Sequence, residues 1–94
     1  MDNNDIIISP VVSEKTTDMA EDGKYVFRVA NKSNKHMIDK AIREIFNVNP
    51  IKINVMKVRG RKKRVRYHYG YTPSWKKAIV TLKKGERIEL YENK

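Results

Sequence analysis

One stretch of the chain, from Arg59 to Lys77, limits what the rest of the sequence can fold into. It reads RGRKKRVRYHYGYTPSWKK and carries eight Lys or Arg, three Tyr and the only Trp, with no acid and no Leu, Ile or Phe. Side chains of this kind bury too little apolar surface to fold a segment on its own. The rest of the 94 residues must supply the core, which predicts one domain over residues 1–94 with an extended loop at about 59–76.

Two segments outside this stretch have the periodicity of helices. The clearer one is predicted over about Asn34 to Asn47, with Ser33 as a plausible N-cap, because apolar residues recur there at helical spacing. Its apolar stripe consists of Met37, Ile38, Ala41, Ile42, Ile45 and Phe46. The other helix is predicted over about Glu14 to Asp22, capped by Ser13 and ended by Gly23.

Several short segments have the composition of strands. They are Ile6–Ile8, Lys24–Ala30, Ile51–Val58, Ala78–Leu82 and Ile88–Tyr91, and in the third Ile51, Ile53 and Val55 are expected to share a face. The resulting order predicts the α+β class. We expect a small two-layer or three-layer sandwich of mostly antiparallel sheet with two helices, plus the long basic extended loop or hairpin.

The charge of the chain is unevenly distributed. Its formal net charge is +10, which favours polyanionic partners such as nucleic acid over other ligands. Twelve of the bases lie between Glu44 and Glu86, where no acid occurs, and the remainder of the chain has a net charge of −2. We therefore expect a nearly neutral scaffold that carries a concentrated cationic field.

Other classes of function find little support in the sequence. No cysteine is present for disulfides or thiolate metal sites, and no apolar run approaches the roughly 20 residues that span a bilayer, so membrane insertion is not expected. The first residues, MDNND, do not resemble a targeting peptide. Neither an HExxH motif nor a glycine-rich phosphate loop occurs, and His36 is expected on a helix surface. We expect neither enzymatic activity nor a cofactor or metal.

The basic loop has two halves with different chemistry. RGRKKRVR can neutralise phosphates, and in an extended chain Tyr67, Tyr69 and Tyr71 would lie opposite Arg66 and His68 and could stack on unpaired bases. Gly70 and Thr72-Pro73 are expected to turn the strand back into a hairpin. The predicted nucleic-acid ligands are Arg59, Arg61, Lys62, Lys63, Arg64, Arg66, Tyr67, His68, Tyr69, Tyr71, Trp75, Lys76 and Lys77.

Blander interpretations of the same loop stay open. A run of charged side chains is commonly only solvated, and such clusters also act as nuclear localisation signals or bind acidic lipids. The tyrosines could instead pair with each other or with Trp75 across a hairpin. A free-standing RNA-binding regulator or single-strand binder is a further possibility for the whole chain, and an enzyme acting on a polyanion is a distant third.

Four stretches together resemble one family in the right order along nearly the whole chain. Ser9-Pro10-Val11-Val12-Ser13-Glu14-Lys15 and Tyr25–Val29 are similar to the opening motif and second strand of the large-subunit ribosomal protein family L-twenty-three. The apolar pattern from Lys35 to Val48 is similar to its main helix, and WKKAIVTL from Trp75 is the most specific match. The long loop, without a basic N-terminal extension, looks like the bacterial type.

The resemblance implies a structural, rRNA-binding protein of the large ribosomal subunit in the cytoplasm, beside the exit of the polypeptide tunnel. It implies that the loop threads rRNA toward the tunnel, where it could meet the nascent chain, and that other large-subunit proteins are neighbours. It also implies an outer surface that docks trigger factor and the signal recognition particle, with Glu14 as the docking acid. From the residues alone, Glu14 is an early-helix acid that the helix dipole favours.

Overall fold

The computed structural model describes the backbone of residues 3–60, 62–65, 68–71 and 74–88, and the side chains of residues 5–60 and 74–88. Its elements follow one another as α1 (Asn3–Ile6), β1 (Ile7–Pro10), α2 (Glu14–Glu21), β2 (Lys24–Val29), α3 (Lys35–Phe46), β3 (Pro50–Val58), β4 (Lys62–Val65), β5 (His68–Tyr71) and β6 (Trp75–Leu82).

The strands form two sheets of unequal size. The larger one has four strands in the order β1-β2-β6-β3, and each neighbouring pair is antiparallel. The smaller one consists of β4 and β5, which form an antiparallel hairpin between β3 and β6. This architecture confirms the predicted α+β class with a mostly antiparallel sheet and a basic hairpin.

Helix α3 supplies most of the apolar surface that covers the larger sheet. Ile38, Ala41 and Ile42 are fully buried against residues that include Phe27 of β2 and Val80 of β6. Their spacing of three and one residues places them on one side of the helix, as the sequence pattern predicted. Ile45, which belongs to the same predicted stripe, is 39% exposed at the margin of the contact.

The start of α3 differs from the prediction by one residue. Asn34, not Ser33, is the N-cap, and its side-chain oxygen accepts a hydrogen bond of 2.9 Å from the Met37 amide. Ser33 is buried, and its hydroxyl donates to the Ala30 carbonyl oxygen at 2.6 Å. Asn47 ends the helix in the left-handed conformation with φ 55°, which asparagine tolerates better than most residues.

Helix α2 begins and ends as local signals predict. Ser13 forms a capping box with Thr16, in which each side chain accepts a hydrogen bond from the other residue's backbone N–H. At the far end, Gly23 has a φ of 77°, a backbone conformation that is strained for residues with a side chain. These two positions confirm the predicted start and end of the helix.

Two predicted strands are corrected by the structure. Ile6 is not the first strand residue, because it ends the short helix α1 and is buried in the core, and β1 begins at Ile7. In β3 a register shift between Pro50 and Lys52 takes Ile51 out of the inward-facing set. Ile51 is therefore 66% exposed, whereas Ile53 is 6% exposed.

The predicted final strand lies mostly outside the described residues, since the structure describes only its first residue. Ile88 is buried and belongs to the core cluster.

A polar network holds the start of β3 against the turn that follows β6. The Glu86 carboxylate accepts from the backbone N–H of Asn49 at 3.0 Å and from its side-chain amide at 3.1 Å. The Arg43 guanidinium of α3 donates to the Asn49 side-chain oxygen at 3.2 Å and to the Pro50 carbonyl oxygen at 3.3 Å. This network fixes the helix, the edge strand and the turn relative to one another.

The core arrangement predicts a difference between two isoleucines of the same stripe. Ile42→Ala should lower the free energy of unfolding by about 2–5 kcal/mol, because it opens a cavity at a fully buried site. Ile45→Ala is the matched control on the exposed margin and should cost about 1 kcal/mol or less. Urea unfolding of the full chain measures both changes. Equal losses of unfolding free energy in the two variants would contradict the described packing of α3 on the sheet.

Candidate nucleic-acid interface

The basic segment between β3 and β6 forms a hairpin. Lys62 pairs with Tyr71, Lys63 with Gly70, Arg64 with Tyr69 and Val65 with His68. The chain therefore reverses between Val65 and His68. The expected reversal at Gly70 is wrong, because Gly70 lies within β5, and Thr72-Pro73 lies outside the described residues.

The hairpin register puts cations and aromatic residues on the same face. Directly paired residues share a face of an antiparallel ribbon, and so do residues two apart along one strand. Lys62 and Arg64 of β4 therefore share a face with Tyr69 and Tyr71 of β5. Within a single extended strand, the sequence predicted aromatic rings on one side and cations on the other. The pairing of β4 with β5 instead brings cations of one strand and rings of the other onto the same face.

The molecule is elongated along one axis. The principal dimensions are 52 × 30 × 25 Å, and the radius of gyration is 15.0 Å. A compact domain of this length would have a radius of gyration of about 12 Å. The cationic strand β4 pairs only with β5 and is not a strand of the sheet that carries the core.

Trp75 anchors the point where the hairpin rejoins the sheet. It is the first residue of β6, half-buried, and lies opposite Val58 at the end of β3. The Arg28 guanidinium carbon lies 5.6 Å from the centroid of the Trp75 ring, which is within cation–π range. One predicted ligand of nucleic acid therefore already has an intramolecular cationic partner.

Arg28 is a candidate interface residue that sequence reasoning missed. It is exposed in β2 and lies directly opposite Lys77 of β6, so Arg28, Lys77 and Trp75 share the face of the sheet turned away from Ile38 and Ile42. No local signal in KYVFRV distinguishes Arg28. The strand register, which joins residues far apart in sequence, identifies it.

The two lysines that follow Trp75 have different environments. The Lys76 ammonium donates to the Ser33 carbonyl oxygen at 2.6 Å and to the Asn31 carbonyl oxygen at 3.3 Å. It thereby ties β6 to the connection between β2 and α3. Lys77 points to the opposite face and lies between Arg28 and Met56 in the register. The geometry favours Lys77 over Lys76 as a ligand of an external anion.

The remaining predicted site residues are dispersed. Arg59 is exposed immediately after β3, whereas Arg61, Arg66 and Tyr67 lie outside the described residues. Glu14 is exposed as the first residue of α2, in the part of the chain farthest in sequence from the hairpin. Its neighbour Val12 is 62% exposed. Glu14 and the predicted RNA ligands thus belong to different elements of the fold.

Two other kinds of feature are absent from the described part of the chain. No three His, Cys, Asp or Glu side chains there come together in a group that could hold a metal ion. None of the described helices is long and apolar enough to cross a membrane.

The fold and charge distribution define a class: a small α+β scaffold that presents a cationic hairpin between two strands of its sheet. A family profile described as "Ribosomal protein L23" matches residues 5–90. The chain belongs to this family, which is the family that the sequence motifs resemble.

Curated relatives match over nearly their whole lengths. "Large ribosomal subunit protein uL23" of Treponema denticola is 52% identical over 92 residues, which cover 98% of each chain. The protein of the same name from Herpetosiphon aurantiacus is 52% identical over 97 residues, with 99% of each chain covered. That of Pelotomaculum thermopropionicum is 50% identical over 91 residues, covering 97% of this chain and 96% of the relative.

The contrast between the two lysines gives a testable prediction. Lys76→Met should lower the free energy of unfolding by about 1–3 kcal/mol, because two carbonyl oxygens lose a charged donor. Lys77→Met is the matched control and should change stability by no more than about 0.5 kcal/mol. In salt titrations of RNA binding, Lys77→Met should reduce the slope of log K against log salt by roughly 0.7–0.9. The opposite pattern, with Lys77→Met destabilising and Lys76→Met neutral, would contradict these assignments.

Proposed function

We propose that this chain is a structural, non-catalytic component of the large ribosomal subunit in the cytoplasm, where it binds rRNA as one domain. Its relatives are named as large-subunit proteins and match it from end to end. The observation that carries the proposal is the cationic hairpin, held outside the core on a scaffold of this family. The partners are large-subunit rRNA and neighbouring ribosomal proteins.

The hairpin is the principal rRNA ligand in this proposal. Guanidinium and ammonium groups neutralise phosphates and release counterions, and aromatic rings accept unpaired bases by stacking. Because Lys62 and Arg64 share a face with Tyr69 and Tyr71, one face can hold a phosphate and an adjacent base. At the base of the hairpin, Arg28, Trp75 and Lys77 continue this surface onto the sheet. The other ligands in this proposal are Arg59, Arg61, Lys63, Arg66, Tyr67 and His68, with Lys76 assigned mainly to the scaffold.

The hairpin also suits a position inside rRNA. A segment rich in cations and poor in apolar side chains gains stability from a surrounding polyanion and needs no core of its own. We place the protein at the exit of the polypeptide tunnel, with its hairpin directed through rRNA toward the tunnel, where the tip could contact the nascent chain. The family resemblance and the elongated shape support this placement.

The surface around Glu14 is proposed as the docking site for trigger factor and the signal recognition particle. Val12 and Glu14 flank Ser13, whose side chain is engaged in the capping box, and both are exposed. A charged group beside an exposed apolar side chain can supply both an anchor and a polar rim for a protein partner. This surface lies on the scaffold and so would stay accessible while the hairpin is in rRNA.

The salt dependence of rRNA binding tests the proposed role of the hairpin. Replacement of Arg61, Lys62, Lys63 and Arg64 by Gln should flatten the slope of log K against log salt by about 3 units, if each cation neutralises one phosphate. The matched control removes the same charge from exposed scaffold lysines, namely Lys15, Lys32, Lys35 and Lys40. The control should change the slope by less than about one unit, and similar slopes for the two variants would contradict the proposal.

Binding of trigger factor to assembled large subunits tests the role of Glu14. Glu14→Ala should weaken trigger factor binding roughly tenfold, as expected for the loss of a charge-assisted contact, and leave subunit assembly intact. Glu21→Ala is the matched control, since Glu21 is the exposed acid at the other end of α2. Unchanged affinity for the Glu14 variant, or failed assembly, would assign Glu14 to the scaffold alone.

A further inference from the structure

In the part of the chain that the structure describes, β3 is an edge strand of the larger sheet. In the four-stranded sheet β3 is a terminal strand of nine residues, and among the residues that the structure describes no strand pairs with its outer side. Edges of this length present backbone groups that can pair with another extended chain.

The hydrogen-bond alternation identifies which amides face outward. The Leu82 amide donates to the Gly23 carbonyl oxygen and the Lys83 amide to the Asn49 carbonyl oxygen, so successive residues of the β6 segment face β2 and β3 in turn. With the observed register, Asn54 and Met56 bond to β6. The backbone N–H and C=O groups of Ile53, Val55 and Lys57 therefore point away from the sheet.

A groove runs beside this edge. It has a volume of about 350 Å³ and lies between the first turns of α3 and the start of β3. Lys35, His36 and Asp39 line it from the helix, and residues 50–54 line it from the strand. The Asp39 carboxylate accepts a hydrogen bond from the Arg43 guanidinium at 3.0 Å, so its negative charge is already paired. The remaining charged side chains that line the groove, Lys35 and Lys52, are positive. Ile51, which is 66% exposed, adds an apolar surface.

We propose that the outer edge of β3 binds an extended, acidic segment of another polypeptide, which adds a fifth strand to the sheet. Exposed Lys35, Lys52 and Lys57 surround the edge and attract acidic side chains, while Ile51 offers apolar contact. The same lysines repel a second copy of this edge, because like charges would be brought together. This inference does not depend on the proposed function.

The edge favours a polypeptide over RNA for a physical reason. Outward N–H donors and C=O acceptors alternate along Ile53, Val55 and Lys57, and a peptide backbone satisfies both kinds of group. Phosphate oxygens are acceptors only, so a phosphodiester backbone can satisfy the outward N–H groups but not the outward C=O groups.

Amide NMR of the full chain tests the proposal with defined probes. The probes are a capped ten-residue peptide of alternating Glu and Val, its counterpart with Lys in place of Glu, and decauridylate. We expect the acidic peptide to shift and slow the exchange of the Ile53, Val55 and Lys57 amides, with small changes at Asn54 and Met56. The basic peptide should bind at least tenfold more weakly. Decauridylate should perturb the segment from Arg59 to Lys77 instead.

Two variants at one exposed position separate backbone pairing from charge. Lys57→Pro removes an outward N–H and should abolish binding of the acidic peptide, since proline is tolerated at an edge but cannot donate. Lys57→Gln keeps the N–H and should weaken binding only roughly threefold. The proposal is overturned if the acidic peptide does not bind, if the basic peptide binds equally well, if the changes lack the alternation, or if decauridylate protects the β3 amides.

Discussion

The burial of α3 against the two central strands is the interaction on which the rest of the structure depends. Ile38 and Ile42 of the helix and Phe27 and Val80 of the sheet are all completely buried, and the Phe27 and Phe46 rings lie 5.5 Å apart. This contact fixes β6, which pairs with β2 on one side and β3 on the other. Because β6 begins at Trp75, the same contact sets where the hairpin leaves and rejoins the sheet.

The separation of core from charge explains how a thin scaffold carries so cationic a segment. Many like charges close together oppose compact packing, and the hairpin holds most of them away from the residues around Phe27 and Ile42. Where the charged segment meets the sheet, the Arg28 guanidinium lies over the Trp75 ring and Lys76 bonds to the carbonyl oxygens of Ser33 and Asn31. Trp75 and Lys76 therefore hold the scaffold together at the place where the proposed rRNA surface begins.

The sequence predicted what local chemistry determines. The bounds of α2 and α3 follow from caps and apolar spacing, and the observed bounds differ from the predicted ones by at most one residue. The sequence alone could not distinguish Ser33 from Asn34 as the N-cap, because both side chains can cap a helix and the path of the backbone decides between them. The exposure of Ile51 depends on a register shift against β6, which is a long-range property.

The candidate site was predictable in composition but not in arrangement. The basic, aromatic segment is plain in the sequence, whereas its reversal between Val65 and His68 depends on strand pairing. The contact of Arg28 with Trp75 and the internal bonds of Lys76 join residues that are more than forty positions apart. The different roles of the adjacent lysines Lys76 and Lys77 can therefore be assigned only from the structure.

The central claim is that the hairpin, and not the α2 side, contacts rRNA. Site-directed hydroxyl-radical probing tests this claim. Because the chain has no cysteine, one introduced thiol can carry a tethered Fe(II) chelate. The account predicts strong cleavage of large-subunit rRNA around a His68→Cys tether in reconstituted subunits and weak cleavage from Glu21→Cys on the exposed end of α2. Equal cleavage from the two positions, or stronger cleavage from Glu21→Cys, would contradict it.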